Sequence, residues 1–389
     1  MSFYIDLTEF LVNPITTGIQ RIVGEMCIYS PPNTMVPVRL YEGRYVALPA
    51  ALVEAIGRLF SKGSQSGVEE INELGAAKRG APIRISQNDT VLIPEVFDNP
   101  QRLAFFRAMA PEELRRCRFF VHDLLPATHP EYFPAESIVH IGGYFRLLRE
   151  ATHCGFNSQD TRDNYYGRLK RTPERDGVVL PLGCDSLGPR PERLTVNRPL
   201  TFSVLGTIEP RKNHEVILEA FEPLLREVDG LRLSFVGRLG WVESEFARKV
   251  QALAADKNSG FQFFSAPGDG AIRRCIEESR ATVYVSAAEG YGLPPVESLW
   301  VGTPVIASMN IPSLKSLGTL GIHFVEPLTA ANLRDAVRAF LDDGYAKRKT
   351  EETMEQRLPT WRSFTQEVLR WCGQEGANQS VMDHRNEIS

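Results

Sequence analysis

Residues 281–307 read A-T-V-Y-V-S-A-A-E-G-Y-G-L-P-P-V-E-S-L-W-V-G-T-P-V-I-A, an order that few folds accommodate. An apolar, β-prone run at 281–286 enters a Gly-rich turn, a helix follows, and a second apolar run begins at Pro304. Pro294 and Pro295 fall in the helix's first turn, where N–H groups lack intrahelical partners and proline is tolerated. Strand, loop, helix and strand make a βαβ unit, with the loop at the carboxyl edge of a parallel sheet, where open α/β sheets bind ligands. Gly290 and Gly292 have no Cβ, so backbone N–H groups there and at Leu293 can approach a bulky anion, and the positive helix end favours a phosphate. Glu289 enters the cleft and Glu297 lies in the helix's first turns. A phosphate would repel both carboxylates, so they suit the neutral hydroxyls of a sugar or ribose. On spacing alone, a helix-start acid and a solvated loop residue account for them better.

A second segment changes that balance. Residues 200–205 (L-T-F-S-V-L) form a β-prone strand that runs into G-T-I-E-P-R-K-N-H at 206–214. The following helix carries Val216, Ile217, Ala220, Phe221, Leu224 and Leu225 on one face. Gly206 opens the loop, and Arg211 and Lys212 sit just ahead of the helix, where fixed cations and free N–H groups can grip a diphosphate. An arbitrary Arg-Lys pair beside Glu209 would be ordinary surface charge.

Together, E-G-Y-G-L-P-P-V-E, its continuation G-T-P-V-I-A-S and the loop G-T-I-E-P-R-K-N resemble the E-x7-E and diphosphate-loop motifs of the retaining family-4 glycosyltransferases. That family has the GT-B fold, two Rossmann-like α/β domains facing across a cleft. Thr207 departs from its pattern, since several members carry an arginine directly after the glycine, and Arg211 would share that task. Weaker matches lie in the first half. A strand at 3–7 precedes T-T-G-I-Q-R, whose Gly18 matches the family glycine near the donor phosphate. His122-Asp123 follows the strand F-F-V as the family's His-Asp pair does beside the transferred sugar, although a lone histidine there is as readily a satisfied structural side chain. G-F-N-S-Q-D-T-R-D at 155–163 resembles the turn that closes the cleft floor, with Ser158 placed to cap a helix. The resemblance implies that Arg211, Lys212 and the 290–293 turn hold the leaving diphosphate, Glu289 and His122 the sugar, and Glu297 the ribose. It also implies front-face substitution, in which the leaving phosphate takes the acceptor's proton and no protein nucleophile is needed. With no Asp-x-Asp motif, the protein supplies the cations, and neither cofactor nor metal is expected.

V-G-R-L-G-W, H-D-L-L-P and the 206–214 loop look most like bacterial mannosyl- and rhamnosyltransferases of surface polysaccharides. The expectation is transfer of a hexose, mannose from GDP-mannose, to a glycan or lipid-linked oligosaccharide. A deoxythymidine-diphosphate sugar for rhamnose transfer is the alternative donor. Outside that class stand a nucleotide-sugar epimerase, which would convert the donor without an acceptor, and a non-catalytic donor-binding subunit. A dehydrogenase is disfavoured because no G-x-G-x-x-G follows the first strand.

At 389 residues the chain exceeds one ordinary core. Strand and helix patterns alternate throughout, as a doubly wound α/β protein requires. Strands are expected near 3–7, 36–41, 90–93, 118–121, 151–154 and 177–180, then near 200–205, 231–236, 260–264, 281–285, 304–307 and 322–325. Helices fall near 18–28, 51–60, 100–109, 136–150 and 159–170, and 61–88 reads as the least regular stretch. The aperiodic Pro/Gly-rich stretch suggests a linker at 186–199 between an acceptor-side domain at 1–185 and a nucleotide-sugar domain at 200–357. A helix at 358–373 is expected to cross back onto the first domain, ahead of a disordered polar tail at 374–389.

The net charge is −4, and the first 190 residues hold 21 Lys and Arg against 22 Asp and Glu, which disfavours a nucleic-acid partner. Short basic clusters at Arg115, Arg116 and Arg118 and at Arg168, Lys170 and Arg171 could meet anionic lipid, but solvated faces explain them better. Six scattered cysteines without a C-x-x-C pair fit free thiols. Asp6 and Glu9 interrupt any signal-peptide core, and no apolar run approaches the ~20 residues of a membrane span. A cytoplasmic protein is expected, with peripheral contact at the inner membrane face left open.

Overall fold

Strands buried on both faces must lie inside parallel sheets covered by helices, and the chain builds two such sheets. The computed structural model describes residues 2–14, 18–62, 66–76, 82–170 and 177–373. In the first sheet, β1 (Phe3–Asp6), β2 (Met35–Tyr41), β3 (Arg44–Ala47), β4 (Thr90–Ile93), β5 (Cys117–Val121), β6 (His153–Phe156) and β7 (Val178–Val179) are ordered β3-β2-β1-β4-β5-β6-β7. All neighbours are parallel except β2 and β3, a hairpin. In the second, β8 (Thr201–Leu205), β9 (Arg232–Gly237), β10 (Phe261–Ser265), β11 (Ala281–Tyr284), β12 (Val305–Ser308) and β13 (Ile322–Val325) run parallel in the order β10-β9-β8-β11-β12-β13. That is the Rossmann order, and the first sheet repeats its reversal between β1 and β4.

The helices that position the site are α1 (Gly18–Tyr29), α2 (Gln159–Asn164), α3 (His214–Glu227), α4 (Asp269–Glu278), α5 (Leu293–Trp300) and α6 (Trp361–Gly373). Helix α6 packs against α1 and β4 of the first sheet, its Phe364 ring meeting Phe120 edge-on at 5.7 Å, and its first N–H, from Trp361, donates to Asp185 at 2.7 Å. Among the described residues no helix is long and apolar enough to cross a membrane. The expected tail at 374–389 lies outside the described residues, as do Thr16 and Thr17.

Three local expectations need correction. The stretch 61–88 holds a helix, Ser66–Gly75, whose Val68, Ile71 and Leu74 recur every third residue and pack into the core. Strand β3 was not anticipated. It pairs through the two-residue turn Glu42-Gly43, both at positive φ (47° and 74°), which suits a hairpin's right-handed twist. The helix expected over 159–170 changes at Tyr165 to a π-helical turn, Tyr165–Lys170, where the Tyr165 ring meets Tyr166 edge-on and Phe156 at a tilt.

At the carboxyl end of β1, Arg102 pairs with buried Asp6 at 2.6 Å and with Glu9 at 2.9 Å, and Tyr45 donates to Asp6 at 2.8 Å. Glu95 lies in the same buried group with one oxygen unpartnered, and burial, resisted by Arg102, pushes its carboxyl up to about 8. Glu25 on α1 is also raised by burial to about 8. A carboxyl raised in the folded state stabilises fully below its unfolded value and loses that contribution as pH rises through the folded one, about 1.4 kcal/mol per unit between them. Thermal stability is therefore expected to decline between about pH 4.5 and 8, with Glu95→Gln flattening part of the decline. An unchanged slope in that variant would show that Glu95 does not titrate there.

Candidate active site

The loops after β8 and β11 flank the point where strand order reverses in the second sheet, and Arg211, Lys212 and Glu289 arrive there from those loops. Pro210–Lys212 forms a single 3-10 turn, and Asn213 at φ 56° redirects the chain into α3. The side-chain amide of Asn213 donates to Val285 O at 2.7 Å, and the N–H of Ala287 donates to Arg211 O at 2.7 Å, so the two loops are tied before any ligand is considered.

Glu289 is the hub. Its Oε2 meets Arg211 Nη1 at 2.6 Å and its Oε1 meets Lys212 Nζ at 2.9 Å. Tyr284 OH, buried at the end of β11, donates to the same Oε1 at 2.6 Å and accepts from Lys212 Nζ at 3.0 Å. Arg211 also pairs with Glu209 at 2.5 Å and donates to Ala288 O at 3.0 Å. Burial alone would raise the Glu289 carboxyl, but Lys212 and Arg211 outweigh it and hold it down at about 2. Burial works against the Arg211 charge, and Glu289 and Glu209 more than restore it. Two cations thus face two carboxylates, and both Glu289 oxygens are engaged by the cations that the sequence assigns to a diphosphate. Gly206 packs beside the Lys212 stem, where a Cβ would lie 3.3 Å from Cε.

The first domain meets this group through the Glu289–Gly292 turn. The carbonyl of Gly290 accepts from Ser158 Oγ at 2.6 Å and Thr161 Oγ1 at 3.1 Å, at the start of α2, and Ser158 also caps that helix. A Cβ on Gly290 would fall 2.4 Å from His122 O and 2.7 Å from Asp123 Cβ. Glycine is therefore required there by the approach of two domains, a stronger demand than room for an anion. Gly292 sits at φ 92°, where its missing Cβ would also strike Ile311 at 2.6 Å. Gly290→Ala is expected to hold the domains apart and to reduce kcat/KM about tenfold or more, with thermal unfolding little changed. Wild-type kinetics would show that this contact is not needed for turnover.

His122 is buried, and its Nε2 lies 2.7 Å from Pro94 O. A carbonyl only accepts, so Nε2 carries the proton and Nδ1 is the ring's acceptor. Burial lowers the ring to about 4, which leaves it neutral at pH 7. Burial raises the Asp123 carboxyl, and Arg211 and Glu289 both act on it electrostatically, so the His-Asp pair faces the Glu289 group across the cleft.

Glu297 stands apart from that group. It is buried on α5 and accepts from Ser186 Oγ at 2.7 Å, and burial raises its carboxyl against the pull of Arg21. Leu293 opens α5 ahead of two prolines. Gly18 opens α1 exposed, with no atom within 4 Å of where its Cβ would be. The arrangement thus brings Glu289, Arg211 and Lys212 together, sets His122 against Gly290 and leaves Gly18 in open space. Sequence reasoning missed Tyr284, Glu209, Ser186 and Arg21. Only the first two carried a signal, an aromatic hydroxyl within an apolar strand and an acid inside the basic loop.

Two Rossmann-like domains facing across a cleft, with the ion-paired loops at the switch point of one of them, define the GT-B architecture. Residues 190–357 match the family model described as Glycosyl transferases group 1, as the motifs in that part of the chain implied. The serotype-specific mannosyltransferase WbdA of Escherichia coli is 30% identical over 141 residues, 36% of this chain and 17% of that relative. The chain thus spans about a sixth of the length of the WbdA relatives it matches. The O-antigen chain mannosyltransferase B of Escherichia coli is 25% identical over 277 residues, 67% of this chain and 70% of the relative. The crystal structure of Anabaena HepE in complex with UDP and glucose shares the fold over 95% of this chain and 98% of that one, with a TM-score of 0.63 at 14% identity.

Proposed function

We propose that the protein is a retaining glycosyltransferase that moves mannose from GDP-mannose to a glycan or lipid-linked oligosaccharide in surface polysaccharide synthesis. The observation that carries this reading is the Glu289–Arg211–Lys212 group at the sheet's switch point, opposite His122 and Asp123. A diphosphate arriving there competes with Glu289 for the two cations. As it takes them, Glu289 is released toward the sugar hydroxyls, and charge growing on the leaving phosphate meets preorganised partners. The N–H groups of Gly292 and Leu293, just ahead of the two prolines of α5, add to that field. Neutral His122 offers Nδ1 to a sugar hydroxyl, and Glu297 receives the ribose. The acceptor hydroxyl bonds to the anomeric carbon on the face where the bond to the phosphate breaks, its proton passes to that leaving phosphate, and the sugar is transferred with retention. The choice of mannose rests on the mannosyltransferases among the relatives, and a lipid-linked acceptor would bring the protein to the cytoplasmic face of the membrane.

The test is a stability and diphosphate-release screen of the purified protein against GDP-mannose, dTDP-rhamnose, UDP-glucose and UDP-N-acetylglucosamine. Selective stabilisation by GDP-mannose with slow release of GDP is expected. Selective response to dTDP-rhamnose would replace the donor, and silence toward all four would favour a non-catalytic subunit.

A further inference from the structure

A second charged group joins the domains. Arg21, buried on α1 of the first domain, directs Nη2 to both carboxylate oxygens of Asp269, at 3.1 Å each. Asp269 is the first residue of α4 in the second domain. On its own helix Arg21 has only a distant partner, Glu25, at 3.9 Å. Glu297 of α5 acts on the same guanidinium electrostatically, and Ser186 from the segment between the sheets donates to Glu297. One cation therefore stands among carboxyl groups from α1, α4 and α5.

That imbalance is informative. A buried arginine needs its hydrogen bonds satisfied, and the closest carboxylate comes from the opposite domain, so the charge is fully paired only when α1 and α4 are together. Burial raises the Glu297 carboxyl, and a nearby positive charge opposes that rise and favours the ionised form, which only accepts. Among the groups named here, Arg21 is the one that supplies it.

We propose that Arg21 is a donor-positioning residue that ties α1 to Asp269 across the closed cleft and holds Glu297 ready to accept hydrogen bonds from the ribose of a nucleoside diphosphate. This rests on the reading of Glu297 given above. Arg21 acts through other side chains and at the nucleoside end of the donor, so its contribution is the same in the ground state and the transition state. It belongs to binding, and the chemical step proceeds without it.

The test compares wild type, Arg21→Gln, Arg21→Lys, Asp269→Asn and the Arg21→Gln/Asp269→Asn double variant in GDP calorimetry and in GDP-mannose kinetics. Arg21→Gln is expected to raise the Kd for GDP and the KM for the donor about 10- to 100-fold, with kcat within about threefold. Arg21→Lys should recover part of the loss, since it keeps the charge but not the reach and planar shape of the guanidinium. The double variant should be no worse than Arg21→Gln, because the two residues act as one pair. A merely structural arginine would lower the melting temperature and kcat and leave the Kd of the folded protein unchanged. Unchanged Kd and KM in Arg21→Gln, beside a wild type that binds GDP, overturns the role of Arg21 alone. A wild type that binds no GDP overturns the donor reading and this role with it.

Discussion

Glu289→Gln is expected to lower kcat by roughly two orders of magnitude while tightening the binding of free nucleoside diphosphate. The two effects point in opposite directions because Glu289 holds two positions in the cycle. Before donor arrives, it neutralises Arg211 and Lys212 through contacts of 2.6 and 2.9 Å, and a diphosphate must displace it. Removing the negative charge removes the competitor. After donor arrives, the same carboxylate is needed at the sugar, and an amide replaces a charged acceptor with a weaker one. The fold should persist, since glutamine can still accept from Tyr284 and Glu209 still pairs with Arg211. Calorimetry with the nucleoside diphosphate and single-turnover transfer would separate the effects. A variant that loses both affinity and turnover would show that Glu289 organises the loop without competing for its cations.

Lys212→Met should cost about 100- to 1,000-fold in kcat/KM and weaken diphosphate binding as well. Methionine keeps most of the stem that packs beside Gly206 and removes the ammonium that faces Glu289 and Tyr284. Breaking a buried ion pair by removing one partner costs about 3–5 kcal/mol. Here Arg211 still neutralises Glu289, so the loss of stability should fall at or below the low end of that range. The measurement is kcat/KM beside the melting temperature. Near-normal turnover in a folded variant would leave Arg211 as the cation that matters and would remove Lys212 from the site.

Much of this arrangement was legible because its signals are local. Doubly buried strands need runs such as T-F-S-V-L and A-T-V-Y, and helices need caps such as Ser158 and turn residues such as Pro294. These requirements act within a few residues of chain. The reversal of strand order at β8 and β11 follows from their place in a βα repeat, and so does the convergence of Arg211, Lys212 and Glu289 on one crevice. The hairpin of β2 and β3 was missed because its turn uses Glu42-Gly43, an unusual pair for positive φ. The helix Ser66–Gly75 was missed because glycines and serines flank its short apolar period.

By itself the sequence determined the fold class and which loops face the cleft, since both follow from periodicity and from residues whose backbone demands are strict. Tertiary structure alone decided what those loops do to one another. Glu289 is the counter-ion of the two cations because burial makes an unpaired charge expensive and sets the nearest opposite charge against it. Gly290 is a glycine because His122 of the other domain comes within 2.4 Å of where its Cβ would be. Arg21 reaches Asp269 across 248 residues of chain, a distance over which no local pattern carries information.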